Sequence, residues 1–152
     1  MKKFLTFILI LFTSFYSFSS TDISLMSGKW DCSVRIEEGI FSSDFKIIDS
    51  YNIESYKFTS EGSVALKYKS TSIFEFEFQS QGTFTVEEDV FKPIFTEVDV
   101  ELVSGDMLES ELNKFKNDLL NSKRSYKTLK INNKERTVLD LTDNSESTCL
   151  KI

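Results

Sequence analysis

The run Ile73-Phe74-Glu75-Phe76-Glu77-Phe78-Gln79 alternates apolar and polar residues with strict period two. That period belongs to an extended strand with one buried and one wet face. Phe74, Phe76 and Phe78 share one side and the two glutamates the other. Val98, Val100 and Leu102 alternate with Asp99 and Glu101 in the same way, and Val64, Leu66 and Tyr68 with Lys67 and Lys69. Further strands are predicted over 30–36, 47–58, 83–86, 127–131, 137–141 and 148–152. The clusters Glu38-Gly39, Ser60-Glu61-Gly62-Ser63, Ser70-Thr71-Ser72, Ser80-Gln81-Gly82, Glu87-Glu88-Asp89, Asn132-Asn133-Lys134 and Asp143-Asn144-Ser145 read as turns. Short strands punctuated at roughly 8 to 12 residues predict an antiparallel barrel or sandwich. Pro93, the only proline, is expected at a bulge or strand start, because it has no amide to donate to a ladder.

One segment changes period. Leu108, Leu112, Phe115 and Leu119 recur at offsets of four, three and four, which predicts a helix over 106–120. Asp106 followed by Glu109 makes a variant capping box at its start. Such a helix is expected to plug or cover an open end of the β structure.

The first 19 residues have the build of a secretory leader: Lys2 and Lys3, an apolar run from Phe4 to Phe18, then small residues. Ser17 and Ser19 supply the small-x-small cleavage pattern, so 1–19 is expected to be removed and 20–152 to form one domain. The run is shorter than the roughly 20 apolar residues a spanning helix needs. No cysteine stands at the cleavage point to take a lipid, so no membrane anchor is expected to persist and the product is placed in the periplasm or outside the cell. Loss of the two lysines moves the formal charge from −6 to −8. An acidic surface without a row of cations does not bind nucleic acid.

An exported chain meets an oxidising compartment. Cys32 and Cys149 are the only cysteines and allow a single intramolecular disulfide; free thiols or an intermolecular bridge are the alternatives. There is no histidine anywhere, which removes Ser-His-Asp and Cys-His nucleophiles and every histidine-containing zinc site. Glu75 and Glu77 read as a solvated strand face rather than a catalytic pair, and neither Glu37-Glu38 nor Glu87-Glu88-Asp89 matches an EF-hand loop. No enzyme activity, cofactor or metal is expected.

Gly28-Lys29-Trp30, opening the first strand soon after the leader, resembles the G-x-W start of lipocalins and lipocalin-like barrels. Gly82-Thr83-Phe84-Thr85-Val86-Glu87-Glu88-Asp89-Val90 is similar to the G-T-aromatic, acidic-turn hairpin of small bacterial lipocalin-like proteins, and Phe58-Thr59-Ser60-Glu61-Gly62 has a matching form. The resemblance spans about 28–102. The second and third lipocalin motifs are not recognisable: Thr142-Asp143 is followed by Asn144, and no arginine follows Arg136. The resemblance implies a mostly β, antiparallel barrel of about eight strands in which first and last strands are neighbours, so that Cys32 and Cys149 lie side by side. It implies a binding protein, holding a small apolar ligand in an interior that Phe74, Phe76, Phe78 and Phe84 line or else fill. The alternative is an interaction module, such as an inhibitor of a periplasmic or secreted hydrolase. Small exported C-type lysozyme inhibitors share its size and terminal disulfide, though not recognisably their inhibitory loops, and an acidic body suits a basic protein partner.

Overall fold

The computed structural model describes residues 22–152, so the expected leader at 1–19 lies outside the described residues. A single-turn 3-10 helix over Ile23–Met26 leads into β1 (Gly28–Asp31), β2 (Val34–Glu38), β3 (Phe41–Asn52), β4 (Lys57–Tyr68), β5 (Thr71–Glu87) and β6 (Val90–Gly105). After α1 (Glu109–Leu120) come β7 (Tyr126–Ile131), β8 (Glu135–Asp140) and β9 (Glu146–Lys151). All pairings are antiparallel, in the order β1-β9-β8-β7-β6-β5-β4-β3-β2, and β1 also pairs with β3 to close a ring. β1 and β2 lie on β3 in one unbroken register, from Gly28 opposite Tyr51 to Glu38 opposite Phe41. They act as one strand interrupted at Cys32 and Ser33, and on that reckoning the barrel has the expected eight staves.

The barrel is lopsided. β3 to β6 run 12 to 17 residues, whereas β7, β8 and β9 have six each. Two seams are thin: β1 meets β9 only at Trp30–Lys151 and Asp31–Leu150, and β6 meets β7 only at Val90–Lys127 and Phe91–Tyr126. The first seam carries the disulfide, which joins Cys32 to Cys149 with Cα atoms 4.2 Å apart across 117 residues of chain. Beyond the seams the long strands flare into an open curved sheet, and α1 covers its concave face.

The inward-facing residues form two cores. In the ring, Trp30, Tyr51, Phe58, Phe84, Phe91, Met26 and Cys149 pack together. Trp30 is fully buried, and its indole N–H donates to the Met26 carbonyl at 2.8 Å, so the 3-10 turn stoppers that end. Under α1, Val64, Phe76 and Phe78 are buried, with Phe74, Val100, Leu102, Leu112 and Phe115 packed around them. The four phenylalanines expected to share one interior are thus divided: Phe84 belongs to the ring, Phe74, Phe76 and Phe78 to the flared sheet. Small residues of β4 and β5, Ser60 beside Ser80, separate the two levels.

Two expected turns are instead strand interior. Gly62 lies within β4 and Gly82 within β5. A Cβ on Gly62 would stand 1.8 Å from the Lys46 carbonyl oxygen, and one on Gly82 2.0 Å from that of Ile94. These glycines mark sharp bends where neighbouring backbones touch, the other use of glycine in a strand. Pro93 lies inside β6, opposite Phe84, just past the two residues that pair with β7; a strand with one free side tolerates it. Register shifts on the paired strands leave Ile73, Thr96, Val103 and Leu129 as extra residues, and the three apolar ones are exposed.

The helix starts three residues later than expected. β6 runs to Gly105, whose φ of 85° turns the chain, and Met107 is drawn into the core below. Leu108 becomes the N-cap with no side-chain hydrogen bond, so the Asp106 capping box does not form. Glu109 and Glu111 in the first turn still complement the helix dipole.

Gly82→Ala is expected to lower unfolding free energy by more than about 2 kcal/mol, because backbone must shift. Gly39→Ala, with φ of 65° but nothing within 4 Å, should cost only about 1 kcal/mol of strain. Urea denaturation of both variants decides it; equal losses would contradict the close-approach reading.

Candidate functional site

The ring interior is occupied by side chains. Phe84 contacts Tyr51 and Phe91 with ring centroids 5.8 and 5.1 Å away, and Phe58 meets Phe95 edge-on at 5.1 Å. Into this packing β8 turns Arg136, Val138 and Asp140, all buried. The Arg136 guanidinium lies 4.9 Å from the Tyr51 ring centre, 5.7 Å from Phe91 and 5.9 Å from Trp30. Its Nη2 donates to the Tyr51 hydroxyl at 3.3 Å, which donates to the Asp49 carboxylate at 3.0 Å. A relay Arg136–Tyr51–Asp49 therefore crosses from β8 to β3 through the middle of the barrel.

Arg136 is only 4% exposed, and its Nε and Nη1 have no hydrogen-bond partner among the described residues. Three aromatic faces and a distant carboxylate compensate the buried cation. Burial raises the Asp49 carboxyl above its ordinary 3.8, opposed by Ser60, Arg136 and Tyr51. Burial likewise pushes the Tyr51 hydroxyl up, which keeps it a proton donor. At the barrel end Lys151 Nζ stands 5.1 Å over the Trp30 ring and donates to the Leu25 carbonyl at 3.2 Å. Two cations from the last two strands thus hold the tryptophan that opens the first, a contact that sequence spacing alone does not disclose.

The open feature lies elsewhere. No α1 residue is fully buried; the helix rests on the sheet through Phe115, whose ring is 4.8 Å from Phe76 and 5.9 Å from Phe78. Beside that contact runs a groove of about 480 Å³ open to solvent. Phe78, Val100 and Leu112 give it apolar surface, and Glu77, Asp99 and Glu101 are among its acidic members. Glu77 stands directly opposite Glu101 across β5 and β6, an unfavourable like-charge pairing. Lys116 reaches Asp99 at 3.5 Å.

Glu75 and Glu77, weighed as a carboxylate pair, alternate on the outer face of β5, on the side opposite Phe76 and Phe78. Glu37 and Glu38 lie on exposed β2. Around the β5–β6 turn, Glu87 is paired with Lys92 at 2.8 Å and Asp89 with Lys127 at 3.5 Å. Among the described residues no group of three or more His, Cys, Asp or Glu side chains is arranged to hold a metal ion, and no helix is long and apolar enough to cross a membrane. Cys32 and Cys149, predicted neighbours, are bonded. No family model matches the chain, and no curated protein matches it.

Because the Asp49 carboxyl is raised in the folded state, the native protein holds its proton more tightly than the unfolded chain does. Its contribution to stability is present below about pH 4 and lost as pH rises through the higher folded value. Asp49→Asn removes that loss. Urea unfolding of both proteins from pH 3.5 to 7.5 should show the variant gaining on the parent as pH rises; parallel curves would contradict the assignment.

Proposed function

We propose that this chain is an exported, non-enzymatic binding protein of lipocalin-like architecture that engages a basic protein partner through the acidic outer face of β5 and β6. The observation that carries the reading is the Glu77–Glu101 pairing on that face, with Glu97 and Asp99 on the same side of β6. Like charges placed opposite one another cost stability in the free protein, and a cationic partner relieves that cost. The net negative charge supports the same reading by steering such a partner to the surface. A secreted or periplasmic hydrolase with a basic surface has this chemistry, and export through a cleaved leader brings the two together.

A small apolar ligand is the second reading, and the groove beside α1, on the other face of the same strands, favours it over the ring: its volume falls within the range of ligand sites, whereas aromatic rings and Arg136 occupy the ring.

Size-exclusion chromatography with hen egg-white lysozyme as the basic probe, at about 20 mM and about 300 mM salt, tests the first reading. A complex present at low salt, lost at high salt because exposed charges are screened, and abolished by Glu77→Lys with Glu101→Lys is expected. A fluorescent fatty-acid probe that binds the parent and is lost on Leu112→Arg, with no complex at either salt, would transfer the site to the second reading.

A further inference from the structure

We infer that the chain associates with a second copy of itself through the free edge of β2, joining two flared sheets antiparallel about Ile36. Among the described residues β2 is terminal in the strand order and pairs with β3 alone. All five of its residues are exposed, including Val34 at 43% and Ile36 at 46%. An edge of unpaired amides and carbonyls carrying exposed branched side chains is a template for another strand.

The main-chain phase suits this. The Cys32 amide donates to the Ile47 carbonyl at 2.8 Å. Alternate residues of an antiparallel strand bond to the same side, so Val34, Ile36 and Glu38 turn their backbone groups toward β3. Arg35 and Glu37 turn theirs to the free edge. Centring the pairing on Ile36 sets Arg35 against Glu37 of the second copy and Glu37 against its Arg35. These are the residues with free donors and acceptors, so the two strands exchange four main-chain hydrogen bonds.

Charge selects that register. Arg35 already lies opposite Asp44 at 3.0 Å, and Asp44 accepts from Lys67 at 2.6 Å. Signs therefore alternate across Lys67, Asp44 and Arg35 up to the edge, and Glu37 of the second copy continues the alternation. Centring on Arg35 or on Glu37 would instead oppose like charges, which destabilises a strand pair. β6 is also unpaired beyond Phe91, but its Glu97, Asp99 and Glu101 are all acidic and α1 packs against it; pairing with itself there is repulsive. The interface is self-complementary, as a two-fold dimer requires. It is independent of the acidic face of β5 and β6.

Sedimentation velocity on the disulfide-bonded, exported protein over a concentration series tests the inference. The parent should show a reversible monomer–dimer equilibrium. Arg35→Glu alone and Glu37→Arg alone should each weaken it about tenfold or more, since attraction becomes repulsion at two symmetric pairs. Mixed in equal amounts, the two variants should recover the dimer. In the mixed pair the introduced glutamate faces the introduced arginine, and the unaltered Glu37 of one variant faces the unaltered Arg35 of the other; recovery also shows that both variants fold. A parent that stays monomeric to about 1 mM, single variants that dimerise as the parent does, or a mixture that fails to recover would each overturn it.

Discussion

The structure depends on closing a ring of strands with very little hydrogen bonding at the joint. Two residue pairs link β1 to β9, and immediately beyond them Cys32 is bonded to Cys149. A crosslink spanning more than a hundred residues removes roughly 4–5 kcal/mol of chain entropy from the unfolded state, comparable with the whole net stability of many small domains. Bonding at that seam lets the last three strands remain only six residues long. Trp30, fully buried next to the seam, is held from above by Arg136 and Lys151 and from the end by Met26.

From that joint the division of labour follows. The ring is filled by aromatic side chains and by one buried cation, which fixes how β8 sits against β3 through Tyr51 and Asp49. The flared half has no strand opposite to close it, so its concave face is covered by a helix that lies on it lightly. The larger groove, beside α1, and the free edge of β2 belong to that half, while a smaller open cleft of about 250 Å³ lies at the ring by Gly28, Tyr51 and Phe58. A filled ring carrying a half-covered sheet leaves the surfaces proposed for binding on the half that does not close, the arrangement of a scaffold that presents a binding surface.

Much of this is legible in the residues. Strict alternation over 73–79 and 98–102 marks strands because one face packs against the core while the other meets solvent. Cys32 and Cys149 are neighbours because the first and last staves of a barrel adjoin. What the sequence hides are the places where one residue type serves two ends. Gly62 and Gly82 sit among polar residues and read as turns, yet their missing Cβ atoms permit backbone contact inside continuous strands. Ile73, Val103 and Leu129 are apolar residues that the register shifts leave over and turn outward, which strand periodicity does not disclose. That Arg136 faces in is disclosed only by the fold, which turns it inward with Val138 and Asp140 on one face of β8. Asp106 and Glu109 spell a helix cap, but Gly105 and Met107 have already committed that stretch to leaving β6 and entering the core.

Hydrogen–deuterium exchange on the native protein with and without a thiol reductant addresses the closure directly. With the disulfide intact, amides of β1 and β9 should be as protected as those of β3 to β5. On reduction the account predicts that protection falls first and most at β1, β9 and the β7–β8 pair, while the central long strands keep theirs. Undiminished protection at β1 and β9 after both thiols are released would contradict it.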